Sequence, residues 1–385
     1  MIKVLFLSPL YPNRYDAMLG LFVRKHAEAV SRYCQVKVLY MQPDKNIKKI
    51  EITSEKRAEL TEVIVYYPII EGGILPKLSK LITYLKAYHI GYREISKDGF
   101  KPDIIHANIL TRSAFIAFVE KTFKKTPFVI TEHWSRYLPQ KNAFNGNADK
   151  WFTRKIVKSA SAVMPVSEIL KQGMLSNKLD NNNYIVINNV VDDYFHEEKT
   201  AVISSKKRIL HISCFDEQAK NLSGILRAVE KLSKSRNDFE LIIIGTGVDF
   251  EMIHDYSKTL NIPKGTIQFL GEKTPQEVAG WFRNSDIFVL FSNYETAGVV
   301  IAESLVSGVP VISTKVGIAS EVIDNHCGKV IQIGDEDELT EAMNYMLENL
   351  EKYNRDAIKE TYRNMFSYNV IGKKIADVYQ EVLNI

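Results

Sequence analysis

The chain is poor in cysteine: 385 residues contain three, Cys34, Cys214 and Cys327, far apart and with no C-x-x-C spacing. Such a set supports neither a disulfide framework nor a zinc site, and it suits a reducing cytoplasm. Long apolar runs are missing too. No segment approaches the roughly eighteen consecutive apolar residues that a membrane span needs, and the opening "MIKVLFLSPLYP" is too short for a secretory h-region, reading instead as a first buried strand. There is no Walker A sequence. "GTGVDF", residues 245–250, has Phe250 where a dinucleotide fingerprint needs its third glycine, so a tight strand-to-helix turn is expected there rather than a redox nucleotide site. Composition, 45% hydrophobic and 25% charged, is that of an ordinary globular protein and excludes disorder as the main theme.

What is present is a repeated alternation. The first half carries the short apolar runs "IKVLFLS", "VKVLY", "EVIVYYP", "DIIHAN", "PFVITEH", "AVMPVS" and "YIVINN", and the second carries "RILHIS", "FELIIIGTG", "TIQFLG", "IFVLFS" and "VPVIS". Continuous Val, Ile and Leu without polar alternation predict parallel strands covered on both faces. Between them lie helical patterns such as "KNLSGILRAVEKLSKS", with Leu222, Ile225, Leu226, Val229 and Leu232 on one face. The length favours two domains. The expected division is a Rossmann-like domain over 1–190, a polar linker over 191–207 and a second Rossmann-like domain over 208–385, whose last helices pack back on the first. Charge divides the same way. Residues 1–190 carry 29 Lys and Arg against 16 Asp and Glu, while the rest carry 21 against 30, giving +13 and −9 within a total of +4. The basic half points to an anionic partner, whether a membrane surface, a lipid-linked diphosphate or an acidic glycan, or else to a well-solvated lysine-rich surface.

Candidate site residues lie where strands end. Glu295 and Glu303 flank "TAG" in "SNYETAGVVIAESLVSGVPVIS", where a helix is expected to begin near Thr296 to Gly298 and stop at Gly308. Were the whole stretch helical, eight residues would separate the carboxylates by about 12 Å with a rotation of roughly 80°. That is too wide for the roughly 5 to 9.5 Å of a glycosidase pair. The spacing suits either two clamps on one elongated ligand, with helix-start N–H groups facing an anion between them, or an exposed loop Glu and a helix Glu on a solvated face. Lys220 precedes a predicted helix, where an ammonium and helix-start N–H groups can converge on phosphate. His133, ending "VITEH", stands where ligands of parallel sheets bind, though a lone histidine is more often structural. The stretch 77–97 carries Leu78, Leu81, Ile82, Leu85, Tyr88, Tyr92 and Ile95 beside Lys77, Lys80, Lys86, Arg93 and Lys97. It predicts either a core-facing helix or one that lies on an anionic membrane surface.

The array "SNYETAGVVIAESLVSGVPVISTKVGIASEVI" resembles the retaining glycosyltransferases of family 4, the group 1 glycosyltransferases of GT-B fold. The resemblance rests on Glu295, seven residues, Glu303, then Gly308 and Pro310. It extends through "PDIIHAN", "VITEHW", "VMPVSEILKQGM", "VINNVVDDYF" and "KNLSGILRAVEKL". It implies that Glu303 holds the nucleotide ribose and Glu295 the donor sugar. Thr296, Ala297, Gly298 and Val299 would present N–H groups to the diphosphate and sugar, and Lys220 would neutralise the leaving diphosphate. Gly20 would form the first-domain glycine loop, and His133 the donor-side histidine. The implied reaction moves a hexosyl unit from a nucleotide sugar to a glycan or lipid-linked acceptor in cell-surface polysaccharide synthesis. No metal or other cofactor is expected, and no nucleic acid partner. The implied setting is the cytoplasm, with peripheral contact at the inner face of an anionic membrane. An epimerase or phosphorylase of the same fold and a catalytically silent binding subunit stand as alternatives. Three positions depart from the family pattern: Cys214 where an arginine is common, "TAG" for "GFG" after the first Glu, and a single glycine, Gly20, where two are usual.

Overall fold

A computed structural model describes residues 1–69, 76–197 and 205–385. Part of the expected linker therefore lies outside the described residues, as do the side chains of Lys77 and Leu78. The first sheet contains β1 (Lys3–Ser8), β2 (Gln35–Asp44), β3 (Glu51–Arg57), β4 (Leu60–Pro68), β5 (Ile104–Asn108), β6 (Phe128–Glu132) and β7 (Ala162–Pro165), in the order β3-β4-β2-β1-β5-β6-β7. The second contains β8 (Lys207–Ile212), β9 (Phe239–Ile244), β10 (Ile267–Phe269), β11 (Ile287–Leu290), β12 (Val311–Thr314) and β13 (Gly328–Ile331), in the order β10-β9-β8-β11-β12-β13. Among the described residues all strand pairings are parallel except β3 with β4. Side chains of β1, β5, β6, β7, β9, β11 and β12 are almost wholly buried, as continuous apolar runs require when helices cover both faces.

Three features differ from the sequence expectation. β3 is exposed at every position, so its "EITSEKR" carries no apolar signal and pairs as a charged antiparallel edge. "YIVINN" forms no strand. It makes one bridge, Tyr184 to Val163, and then runs beside β7 through the Ile185 and Ile187 amides. The helix Pro76–Ile95 buries Tyr84, Ala87 and Ile95 but leaves Leu81, Ile82 and Leu85 exposed, at 40%, 57% and 38%. The expected apolar stripe is thus split: Tyr88, Tyr92 and Ile95 pack on the first-half core, while Leu81, Ile82 and Leu85 do not.

The halves are tied together twice. The helix Tyr368–Leu383 leaves the second half and packs on helix Leu21–Ser31 of the first, its Ile371, Ile375 and Tyr379 joining the core of Val4, Phe6 and Val23. The approach is close: a Cβ on Gly372 would lie 2.1 Å from the Ala29 carbonyl oxygen. At the cleft, Tyr294 and Ala297 of the second half pack into the first-half cluster with Leu138 and Tyr137.

Candidate functional site

Among its parallel strands each sheet has one place where chain order reverses, β1/β5 in the first and β8/β11 in the second. Open parallel sheets bind ligands beyond the carboxyl ends at such switch points. The connection leaving β8 carries Lys220, the last residue of the one-turn helix Glu217–Lys220, and the turn leaving β11 carries Glu295. Asn108 ends β5, and the turns leaving β1 and β6 carry Gly20 and His133.

In the second half, Lys220 Nζ lies 2.5 Å from Glu295 Oε1, a pairing across 75 residues with side chains only 15% and 12% exposed. Burial pulls the ammonium pKa down, but the Glu295 charge at hydrogen-bond distance overrides it and holds the pKa above the ordinary value. Ser292 Oγ donates a second bond to the same carboxylate oxygen at 2.8 Å. Glu295 is outside the helix, which runs only from Val299 to Val306, so a helical rise does not govern its distance from Glu303. Gly298 is the N-cap at φ +67°, and no side chain caps the first turn. The opening N–H groups of an α-helix have no partner within it, leaving a partial positive charge at this end. The Gly317 backbone closes against the Ala297 carbonyl, with Ile318 N donating to it at 2.9 Å.

One part of the expected phosphate site is overturned. Lys220 does precede a helix, Leu222–Ser233, but the start of that helix is already occupied. Glu217 accepts from Leu222 N at 2.8 Å and Ser223 N at 3.2 Å, and Asn221 Oδ1 accepts from Gly224 N at 3.3 Å. A carboxylate in that position repels phosphate. The uncapped start of Val299–Val306 therefore remains the N–H source beside Lys220.

Glu303 is half-buried on the same short helix, with no hydrogen-bond donor to its carboxylate among the described residues. Burial pushes its pKa up to about 7; Lys25 opposes the rise and Asp192 adds to it. Sequence alone gives no reason to single out Lys25. It belongs to helix Leu21–Ser31, is buried, and pairs with Asp192 at 2.7 Å, bringing a first-half ammonium toward the Glu303 region. Nothing marks one lysine among many in a basic half, so the sequence held no signal for it.

In the first half, Gly20 has φ +64° and caps helix Leu21–Ser31; a Cβ there would lie 2.4 Å from the Leu10 carbonyl oxygen. Glycine is required by both conformation and space. His133 is 8% exposed, packs on Phe22 at 4.4 Å between centroids and on His26 at 5.5 Å, and neither ring nitrogen has a partner. Burial, reinforced by His26 and His106, holds it well below the usual histidine pKa, so it is a neutral ring. The helix after Gly20 and the loop after β6 thus meet at His133. Cys214 is an exposed free thiol in the turn after β8, and Cys34 and Cys327 are buried and free.

The halves touch beside these groups. Ser167 Oγ, the N-cap of helix Glu168–Ser176, donates to the Thr296 carbonyl, and Glu168 N donates to Glu321 Oε1 at 2.7 Å. Next to them opens a cleft cavity of about 610 Å³, walled mainly by apolar groups of Leu138, Pro139, Ile169, Tyr294 and Val316, with Glu295 on its lining. Among the described residues no His, Cys, Asp and Glu cluster fits a metal ion, and no helix is long and apolar enough to cross a membrane.

The geometry has parallels in known proteins. Residues 193–364 match the family model for glycosyl transferases group 1, and residues 23–194 match that for glycosyltransferase family 4. An uncharacterized glycosyltransferase of Methanocaldococcus jannaschii, MJ1178, is 26% identical over 319 residues, 80% of this chain and 84% of the relative. N-acetyl-alpha-D-glucosaminyl L-malate synthase of Bacillus anthracis is 29% identical over 182 residues, and that match spans 46% of either chain, less than half of the relative's length. Among solved structures, sucrose-phosphate synthase from Thermosynechococcus elongatus superposes with a TM-score of 0.78 at 15% identity, covering 100% of both chains. HepE from Anabaena in complex with UDP-glucose gives 0.73 at 16%, covering 99% of this chain and 100% of that one. The fold is GT-B.

Proposed function

The chain belongs to the group 1, family 4 glycosyltransferases, and from that premise we propose that it moves a hexosyl unit from a nucleotide sugar to an acceptor with retention of anomeric configuration. The observation that carries this reading is the Lys220–Glu295 pair set beside the uncapped start of helix Val299–Val306 at the β8/β11 switch point. A diphosphate there meets an ammonium and helix-start N–H groups of Ala297, Gly298 and Val299. Its ribose hydroxyls reach the unpaired Glu303 carboxylate, and its sugar reaches Glu295. As the glycosidic bond breaks, negative charge grows on the leaving phosphate, and fixed N–H dipoles with Lys220 stabilise it without reorganising. The acceptor hydroxyl then attacks the oxocarbenium-like carbon from the face that the diphosphate leaves, and its proton passes to the departing phosphate oxygen as the new C–O bond forms. Gly20 lets the first-half loop approach, and neutral His133 lends a polar contact to the sugar.

The cavity beside Glu295 takes the acceptor, a glycan or lipid-linked sugar, and its apolar walls suit the part of the acceptor behind the attacking hydroxyl. Leu81, Ile82 and Leu85, exposed between Lys80 and Lys86 on helix Pro76–Ile95, suit peripheral contact with an anionic membrane at its cytoplasmic face. Such a placement fits synthesis of cell-surface polysaccharide. A thermal-shift screen of UDP-, GDP- and ADP-sugars tests the core of the reading, since a ligand held only by the native state raises the midpoint. At least one should stabilise the wild type and fail to stabilise Lys220→Ala. Turnover that survives in both Lys220→Ala and Glu303→Ala overturns the assignment.

A further inference from the structure

One buried carboxylate at the cleft has no part in the reaction as proposed. Glu132 is the last residue of β6 and is fully buried. Its Oε1 accepts from His133 N at 2.8 Å and Trp134 N at 2.7 Å, and its Oε2 accepts from Leu110 N at 2.8 Å. Among the described residues no lysine or arginine forms an ion pair with it. A charge kept in the interior without a counter-ion is costly, and three N–H bonds are what make it tolerable here.

Those bonds join two loops, one after β5 and one after β6. Both loops hold buried polar atoms with no partner: the two amide atoms of Asn108, Thr111 Oγ1 and the two ring nitrogens of His133. Orphan polar atoms gathered in one place call for a reason beyond packing. Asn108 pairs in register with Thr131, whose hydroxyl bonds His106 Nε2 at 2.6 Å, and His106 Nδ1 in turn meets the Tyr379 hydroxyl of helix Tyr368–Leu383.

We propose that Glu132 is a positioning residue for the transfer reaction: its carboxylate locks the Leu110 loop to the His133–Trp134 loop and so fixes His133 at the cleft. This rests on the function proposed above. A glutamine of the same shape cannot make all three bonds, because whichever side its NH₂ group takes faces at least one N–H donor instead of accepting from it. Burial pushes the Glu132 pKa up to about 7, opposed by the three N–H donors and by Arg136. Tyr137 and Tyr184 are the other titratable side chains coupled to it, and both are neutral phenols in this range. The lock weakens when the carboxyl takes a proton.

Three proteins test this: wild type, Glu132→Gln and Glu132→Asp. Amide hydrogen exchange at Leu110, His133 and Trp134 should quicken at least tenfold in E132Q while the cores stay protected. The Kd for UDP, or for GDP if the screen selects it, should stay within about twofold. Release of nucleotide from the stabilising sugar nucleotide should fall in kcat by about thirtyfold with KM little changed. At saturating sugar nucleotide, where the Glu303 effect on affinity drops out, the acid limb of the wild-type kcat profile near 7 should be absent in E132Q, and E132D should recover part of the rate. Unchanged exchange at the three amides, or quickened exchange with undiminished kcat, overturns the proposal. If E132Q does not fold, the wild type decides: exchange at these amides, corrected for the intrinsic rate, must rise as pH falls from 8 to 6, and a flat profile overturns it. If no sugar nucleotide binds the wild type, the proposed function fails on that result alone, while the exchange measurement still shows whether Glu132 holds the loops.

Discussion

Lys220 cannot give its full charge to a diphosphate while Glu295 holds it at 2.5 Å, and this sets the sign of a simple experiment. In Glu295→Gln the amide carbonyl can still accept from Ser292 Oγ, now at 2.8 Å, so the loop keeps one of its anchors. What disappears is a negative charge next to the place proposed for phosphate. At about 6 Å and an effective dielectric near 20, one carboxylate repels one phosphate charge by about 3 kcal/mol. The side chains retain 15% and 12% exposure, so solvent and salt reduce the effect. A net gain of about 1.4 kcal/mol, or tenfold tighter binding of UDP or GDP, is expected. Lys220→Ala should act in the opposite direction by about a hundredfold, since it removes the ammonium and leaves Glu295 facing phosphate. Isothermal titration calorimetry at pH 8 and 0.15 M salt reads both, and denaturant unfolding checks that each variant is folded, because splitting a partly buried pair costs stability. Transfer should nevertheless collapse in Glu295→Gln. Unchanged or weaker nucleotide binding in a folded Glu295→Gln would refute the reasoning, since Lys220 would then not be shared between carboxylate and phosphate.

Other expectations follow from single contacts. Glu303 has a folded pKa near 7 against an ordinary 4.5, so the folded state holds the extra proton in between; its contribution makes stability decline as pH rises from about 4.5 to about 7. Nucleotide affinity should change the other way, rising through pH 7 as the carboxylate becomes a full acceptor, and a Kd ratio between pH 6 and 8 that is the same in wild type and Glu303→Gln would disprove it. Gly372→Ala places a Cβ 2.1 Å from the Ala29 carbonyl oxygen. It should cost about 1–3 kcal/mol in urea unfolding through forced separation of the two helices, and a change under about 0.5 kcal/mol would count against that packing. Replacing Leu81, Ile82 and Leu85 together by serine should leave the melting temperature within a few degrees and abolish flotation with anionic vesicles; binding that persists rules out this helix as the contact.

Much of the architecture was legible because strands covered on both faces leave uninterrupted Val, Ile and Leu runs, as in "DIIHAN" and "IFVLFS". β3 was illegible for the complementary reason: an exposed edge strand of Glu, Thr, Lys and Arg has no apolar signature. "YIVINN" has the composition of a strand, but its apolar residues run beside β7 with a single bridge and no ladder. In helix Pro76–Ile95 the apolar count was right, but periodicity does not say which side has a neighbour. The start of helix Leu222–Ser233 looked free from sequence because Glu217 reaches it across the turn at Asn221.

By itself, then, the sequence determined the alternation of strands and helices, the glycines at forced turns and the two glutamates around "TAG", since these depend on local periodicity and backbone conformation. Tertiary structure alone decided the partners: Lys220 with Glu295 across 75 residues, Lys25 with Asp192, Glu132 with three amides from two loops, and the last helix returning to the first half. Charge and hydrogen-bonding capacity are written into each residue, but which groups they meet depends on how the two sheets bring their carboxyl ends together.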